Sequence, residues 1–269
     1  MKNIVRATAL GLLMAPLLLA SCKKDVDKYS LEGAVPASDF TVTKVTTGLT
    51  TTATFTATNT DGFLYQWDFG DGTVGSGKTA THVYSSGGTL KTKLITAYRG
   101  GTSVSTTKDL VLPSVSAIVN QLLTGGSSKT WKLDNTVVAP ITVGPSDADP
   151  TSYYAGNPSA GALPACQADD EYTFTAANSF TYDAKGQTFV AGGACDAPRN
   201  VTTSFTFGNA TGAGLAQLTL ASATPSPFIG VTDAPGLTYR ILSITTTNMV
   251  LRAGSTAAGV VFDMKLVAK

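Results

Sequence analysis

Apolar and polar positions alternate in short runs along most of this chain. Such alternation marks half-buried β-strands, because successive side chains leave a strand on opposite faces. Residues 40–45 and 50–57 alternate in this way, with threonine on one face, a residue suited to a pleated, half-exposed surface. Turn signals separate the runs: Asn59 to Gly62, Gly70-Asp71-Gly72, Gly87-Gly88 and Arg99-Gly100-Gly101. Further strands are expected over residues 90–97 and 104–112. After residue 128 the pattern resumes at 131–133, with 136–141 continuing as a second strand. It runs on through 171–175, 179–182, 187–190, 201–207, 215–220, 237–244, 249–253 and 259–267. Eight or more short strands with turns between them read as a sandwich or barrel.

Two stretches break the alternation. Val115, Ile118, Val119 and Leu122 share one face of a helix that Ser114 or Ser116 can cap and Gly125-Gly126 stops. Residues 7–20 are almost wholly apolar and follow Lys2 and Arg6. That is the make-up of a signal peptide, too short to span as a mature helix. It ends in Leu19-Ala20-Ser21-Cys22, which fits the lipobox of bacterial lipoproteins. The expected organisation is therefore a signal peptide over 1–21, lipidation at Cys22, a charged tether over 22–34, a first domain over 35–113 and a second over 114–269. A diacylglycerol plus an N-acyl chain would hold the protein stably on a membrane.

Composition narrows the function classes. Charged residues make up 14% of the chain and the formal net charge is +1, which leaves no basic stripe for nucleic acid. A single histidine, His82, excludes mechanisms that need two, and three cysteines cannot build a zinc ribbon or a dense disulfide framework. No Gly-x-Ser-x-Gly element and no P-loop is present. No cofactor, metal site or catalytic residue is expected.

The sharpest motif is Trp67-Asp68-Phe69-Gly70-Asp71-Gly72, followed by His82-Val83-Tyr84 and a strand after Gly88. This pattern resembles the polycystic kidney disease (PKD) domain. The resemblance implies an Ig-like β-sandwich in which Trp67 is core and Asp68, Asp71 and His82 hold turns. Modules of that family act mainly as spacers or weak interaction units.

The second domain carries a long loop from Gly144 to Ala168 with Pro145, Pro150, Pro158 and Pro164. Loops this long inside a compact domain are often functional. Tyr153 and Tyr154 sit in its middle, and a tyrosine ring can stack on a sugar face. Asn157, Asp169 and Asp170 are candidates to hydrogen-bond sugar hydroxyls. Asp147 and Asp149 either contribute to a Ca²⁺ site or belong to a solvated loop. Asp169 and Glu171, if on one strand, share a side, but they would project in parallel rather than flank a glycosidic bond. Cys166 and Cys195, 29 residues apart, either pair across the next hairpin, as export permits, or remain two thiols.

Residues 126–134, 143–145, 169–174 and 262–267 together are similar to the C-terminal domain of PKD-bearing lipoproteins in Bacteroidetes polysaccharide-utilisation systems. Surface glycan-binding proteins of the SusE/SusF type carry similar domains. In those sequences the loop after Val143-Gly144-Pro145 carries tryptophans where this chain has Tyr153 and Tyr154. The resemblance implies a non-catalytic outer-membrane lipoprotein, exposed at the cell surface. It would hold a polysaccharide, a neutral glucan by analogy, for a TonB-dependent importer and glycoside hydrolases. A structural or adhesive lipoprotein that binds proteins is the alternative, and a divergent hydrolase using Asp169 or Glu171 is a third. The expected fold is all-β: an Ig-like sandwich, then a second β-sandwich, jelly roll or lipocalin-like barrel.

Overall fold

The computed structural model describes residues 32–269. The expected signal segment, the lipidation site Cys22 and the tether up to residue 31 lie outside the described residues.

The first unit has eight strands: β1 (Phe40–Thr47), β2 (Thr50–Ala57), β3 (Leu64–Asp68), β4 (Val74–Ser76), β5 (Thr79–Tyr84), β6 (Gly88–Tyr98), β7 (Gly101–Val104) and β8 (Lys108–Leu112). One sheet runs β1-β2-β5 and the facing sheet runs β4-β3-β6-β7, with β8 on β6. The expected single strand over 104–112 is corrected: β7 ends at Val104 and β8 starts at Lys108, and the two pair with successive halves of the long β6. Ser105 sits between them, accepting from the Leu94 amide with its hydroxyl at 2.9 Å and donating its own amide to the Leu94 carbonyl at 2.8 Å. The alternating residues of both sheets meet in a core of Phe40, Phe55, Trp67, Phe69, Tyr84 and Leu94. Burying side chains of this size stabilises by about 1.5–3 kcal/mol each. Trp67 also satisfies its indole N–H, which donates to the Gly77 carbonyl at 2.8 Å.

Helix α1 (Val115–Thr124) leads out of the sandwich. Its N-cap is Ser114, whose hydroxyl accepts from the Ala117 amide at 3.1 Å, and Gly125 ends it in the left-handed conformation. The second unit follows: β9 (Ser128–Leu133), β10 (Ile141–Gly144), α2 (Ala165–Ala168), β11 (Glu171–Thr175), β12 (Ser179–Asp183), β13 (Thr188–Val190), β14 (Ala194–Asp196), β15 (Val201–Gly208), β16 (Ala216–Leu220), β17 (Thr238–Ile244), β18 (Asn248–Ser255) and β19 (Val260–Ala268).

Here the structure decides between the expected architectures. β9, β11, β12, β15, β16, β17, β18 and β19 pair antiparallel in chain order, and β19 pairs back onto β9. The result is a closed, eight-stranded up-and-down barrel, as in lipocalins, and not a jelly roll. β13 and β14 form a separate hairpin outside the wall. The expected strand over 136–141 is corrected: residues 136–140 form a turn region, and β10 starts only at Ile141. Pro140 supplies no N–H for a ladder, and Ala139 adopts φ 50°, so the chain bends there.

Inward side chains fill most of the barrel. Trp131, Tyr172, Phe174, Phe180, Tyr239 and Met264 are among those fully buried. Val119 and Leu123 of α1 join this core, and α1 packs on β9, β11, β16 and β17. The Trp131 indole N–H donates to the Leu123 carbonyl at 2.9 Å. Helix α1 thus closes the end of the barrel at which β17 turns into β18.

Candidate functional site

The other end is covered by the short α2 and by the buried segment 228–231, which Gln167 ties to α2 through the Gly230 carbonyl. β9 reaches only the C-terminal half of β19, pairing Leu266 with Leu133 through Ala268 with Trp131. Over the N-terminal half β10 takes its place, with Ile141 opposite Met264 and Val143 opposite Phe262. At that offset seam lies a pocket of about 360 Å³. Ile141, Val143, Leu163, Val231 and Phe262 give it apolar walls, while Tyr154, Asn157 and Gln167 bring polar groups to it. A barrel mouth with apolar walls and a few converging polar groups is a common place for a small-ligand site.

The long loop forms one side of this pocket. Tyr154 makes a two-residue bridge to β10: the Val143 amide donates to the Tyr154 carbonyl at 2.8 Å, and the Tyr154 amide returns a bond at 2.9 Å. The Tyr154 hydroxyl donates to Asn157 Oδ1 at 2.7 Å, and Asn157 Nδ2 donates to the Ala162 carbonyl at 3.1 Å. Both tyrosines remain open to solvent, Tyr153 by 62% and Tyr154 by 43%. Two glycines permit the path. A side chain at Gly144 would collide with the Asp149 carbonyl, and one at Gly156, which has φ +86°, would strike Ala139.

Asp147 anchors the start of the loop. Its carboxylate accepts two hydrogen bonds from Arg240, at 2.5 and 2.7 Å, and lies 3.4 Å from Arg252. Arg252 in turn grips Asp263 through Nε and Nη2. Arg240, Arg252 and Asp263 are cross-strand neighbours on the outer face of the barrel. Both arginines are nearly buried, at 6% and 5% exposure, because the loop covers them. The Arg240 hydrogen bond, with the charges of both guanidiniums, holds the Asp147 carboxyl below its ordinary range. Asp147 is thus part of an ion-pair cluster. Asp149 accepts from the Thr151 and Ser152 amides, at 3.4 and 3.1 Å, and turns the chain towards Tyr153. Among the described residues no group of three or more His, Cys, Asp or Glu is placed to hold a metal ion.

Cys166 and Cys195 form a disulfide. It joins α2 to the β13–β14 hairpin, in which Cys195 lies opposite Phe189. Gln167 and Phe189, two linings of the pocket, are therefore stapled together.

The remaining sequence candidates are placed elsewhere. Asp170 is 1% exposed and accepts from Tyr182 at 2.8 Å and Tyr172 at 3.3 Å. Burial pushes its carboxyl up to about 7, against the pull of those two hydroxyls. It faces the barrel interior and offers nothing to a ligand at the surface. Asp169 ends α2 in helical geometry, so it does not share a strand face with Glu171. Its Oδ1 is buried without a hydrogen-bond partner among the described residues. Glu171 sits between Lys269 at 2.7 Å and Lys185 at 3.3 Å. Of the five glycan candidates, Tyr154 and Asn157 meet at the pocket, Tyr153 lies beside them, and Asp169 and Asp170 do not join them.

Gln167, Phe189, Val231 and the Arg240–Arg252 pair were not legible as site residues in the sequence. The only trace of the arginines was a charge inside two otherwise apolar strands, 239–241 and 251–253.

In the first unit the motif residues close turns. The Gly70 amide donates to Asp68 Oδ1 at 2.9 Å, and the Thr73 amide to Asp71 Oδ1 at 3.0 Å. His82 Nε2 lies 2.7 Å from Asp71 Oδ2, and its ring stacks on Phe69 at 4.5 Å between centroids. Residues 34–112 match the family model of the PKD domain. The PKD domain covers the sandwich alone, and the barrel lies outside the match. No curated protein matches the chain in sequence. A solved chain from a study of the promiscuous specificity of carbohydrate-binding modules of the β-sandwich superfamily aligns with 88% of this chain and 93% of its own length. The identity is 16% and the TM-score 0.29, too low to mark a common arrangement, so nothing about this chain follows from it.

Proposed function

We propose that this protein binds a neutral polysaccharide without cleaving it, as a lipoprotein anchored through Cys22 and displayed on the outer face of an outer membrane. The observation that carries the reading is Tyr154, exposed at the rim of a pocket, with Tyr153, next to it in the chain, also open to solvent. Exposed rings supply the apolar face a pyranose stacks on, and the Gln167 amide supplies a polar group for a substituent. No charged side chain lines the pocket, which favours an uncharged glycan over a uronate or a sulfate ester. The PKD domain would lift the barrel away from the membrane. A TonB-dependent importer and glycoside hydrolases are the partners that the lipoprotein resemblance suggests, and a Bacteroidetes SusE/SusF-like system is its setting.

Affinity electrophoresis of the full chain in mild detergent tests this. The gels would carry laminarin, mixed-linkage glucan, xylan, mannan, starch, glycol chitin or alginate. Retardation by a neutral polysaccharide is expected, lost in Tyr153→Ala/Tyr154→Ala. Retardation by alginate alone, or by none, would overturn the reading. Retardation that survives the double substitution would move the site away from the loop.

A further inference from the structure

The pocket behind the tyrosines is more apolar than a plain sugar ring requires. A pyranose carries hydroxyls around its rim, and each one buried without a partner is costly. The pocket has few partners to give. The Tyr154 hydroxyl and the Asn157 oxygen already bond each other, and one Asn157 N–H is held by the Ala162 carbonyl. Ile141, Val143, Leu163, Val231 and Phe262 make the rest largely hydrocarbon.

Gln167 is the exception. It is buried to 4% exposure, and its Nε2 donates to the Gly230 carbonyl at 2.9 Å. A carbonyl only accepts, so the amide must present its nitrogen to Gly230. Its Oε1 accepts no hydrogen bond from the described residues. The disulfide holds the preceding residue, Cys166, and the backbone of Gln167 is fixed by a bond to the Pro164 carbonyl at 2.9 Å. The acceptor is therefore rigid, in a pocket whose other surfaces are mostly apolar.

We propose that this pocket takes an acetyl substituent of a neutral glycan. The acetyl methyl packs on the aliphatic walls, and an N–H or O–H beside it donates to Gln167 Oε1. The sugar ring lies across Tyr153 and Tyr154. A volume of about 360 Å³ is near the lower end of small-ligand sites, enough for one substituted sugar unit, with the polymer leaving along the exposed tyrosines. The inference rests on the glycan-binding reading above and sharpens it. An acetamido sugar and an O-acetylated sugar present the same acetyl group, so both sources must be tried.

The full chain in mild detergent would be titrated calorimetrically with chitin oligosaccharides and their deacetylated forms. Acetylated xylan and the same xylan after mild base treatment form the second pair. At least one acetylated ligand is expected to bind tenfold or more tightly than its deacetylated partner. Ligand-observed saturation-transfer NMR should then show the acetyl methyl as the most strongly saturated group. Val143→Phe, which fills the pocket, should lose tenfold or more in affinity. A lowered unfolding temperature would disqualify that variant, and the methyl signal in the unmodified chain then decides. Equal affinity within both pairs overturns the inference and leaves glycan binding by the tyrosines standing. Absence of binding to every polysaccharide overturns both.

Discussion

In the PKD domain, Asp68 and Asp71 accept hydrogen bonds from backbone amides two residues further on. In the barrel, Asp147 reaches Arg240, 93 residues away, and holds down a loop that the strands do not need. The first arrangement uses its carboxylates to make tight turns, and the sandwich around them is filled. The second ties an added segment to the outer face of a barrel and leaves a pocket beside it. Both units rest on one fully buried tryptophan with its N–H satisfied, Trp67 in one and Trp131 in the other. The difference lies in the connections. Short, self-satisfied turns leave a filled sandwich, whereas a long connection stapled at several points leaves a pocket beside it.

The largest test of this contrast is to remove the tryptophans. Trp67→Ala and Trp131→Ala should each cost about 3–5 kcal/mol, from lost burial plus the cavity left behind. Scanning calorimetry should show two transitions, with each substitution lowering only the transition of its own domain. Trp67→Ala should leave polysaccharide binding intact at temperatures where the barrel is folded. A single transition lowered by both would mean that Leu49, the PKD-domain residue packed against the barrel core, couples the two units.

The next test is pH, where Asp71 and Asp170 should act in opposite senses and in separate windows. Burial raises the Asp71 carboxyl, but hydrogen bonds from Thr73 and His82 outweigh it and hold the group at about 2. Its contribution is present above the unfolded value near 3.8 and is lost as pH falls towards about 2. Asp170 runs the other way, because burial raises it to about 7. Its stabilising protonated state is full below about 4 and is lost as pH rises through about 7, a change on the order of 4 kcal/mol. Between pH 4 and 7 the barrel transition should therefore fall as pH rises, while the PKD transition gains nothing from Asp71. Asp170→Asn should flatten the barrel's slope across that window in calorimetric scans. A slope that survives in Asp170→Asn would place the titration in another group.

A smaller effect is expected at Asp147. Asp147→Ala leaves the Arg240 guanidinium under the loop without a carboxylate, while Arg252 keeps Asp263. A loss of about 2–3 kcal/mol is expected, as for a charged hydrogen bond removed from a largely covered site. Amide exchange should quicken over residues 145–157 and stay unchanged in β1 to β8. Faster exchange throughout the barrel would show that the cluster supports the wall itself and not the loop alone.

Local pattern carried the sequence reading a long way. Thr50 to Ala57 alternates, and its buried and open sides follow that alternation in the strand. The helix after Ser114 and the strands from Val201 onwards lie within a residue or two of where periodicity and turn residues place them. The Trp67 to Gly72 motif predicted buried core and held turns, and both are present; the turns are held locally, while Trp67 packs on Phe40 and Phe55 of the other sheet. Residues 136–141 misled for a local reason too: Val137 and Val138 favour a strand, but Pro140 and the positive φ at Ala139 bend the chain. Asp170 misled because an acidic residue reads as surface. Only contact with Tyr172 and Tyr182 makes its burial tolerable, and those hydroxyls come from two strands.

From the sequence alone came the all-β class, the tight turns of the first domain and the long loop with its two tyrosines. Each is set by residues close together in the chain, through alternation, glycine and proline. Tertiary structure alone decided that the second set of strands closes into a barrel, because closure depends on β19 meeting β9 across more than 120 residues. It also decided that Gln167, Phe189, Val231 and Phe262 share one pocket with Tyr154, and that Asp147 finds Arg240. No local rule contains those pairings. They arise only when the offset seam, the disulfide and the covered arginines bring distant segments to the same end of the barrel.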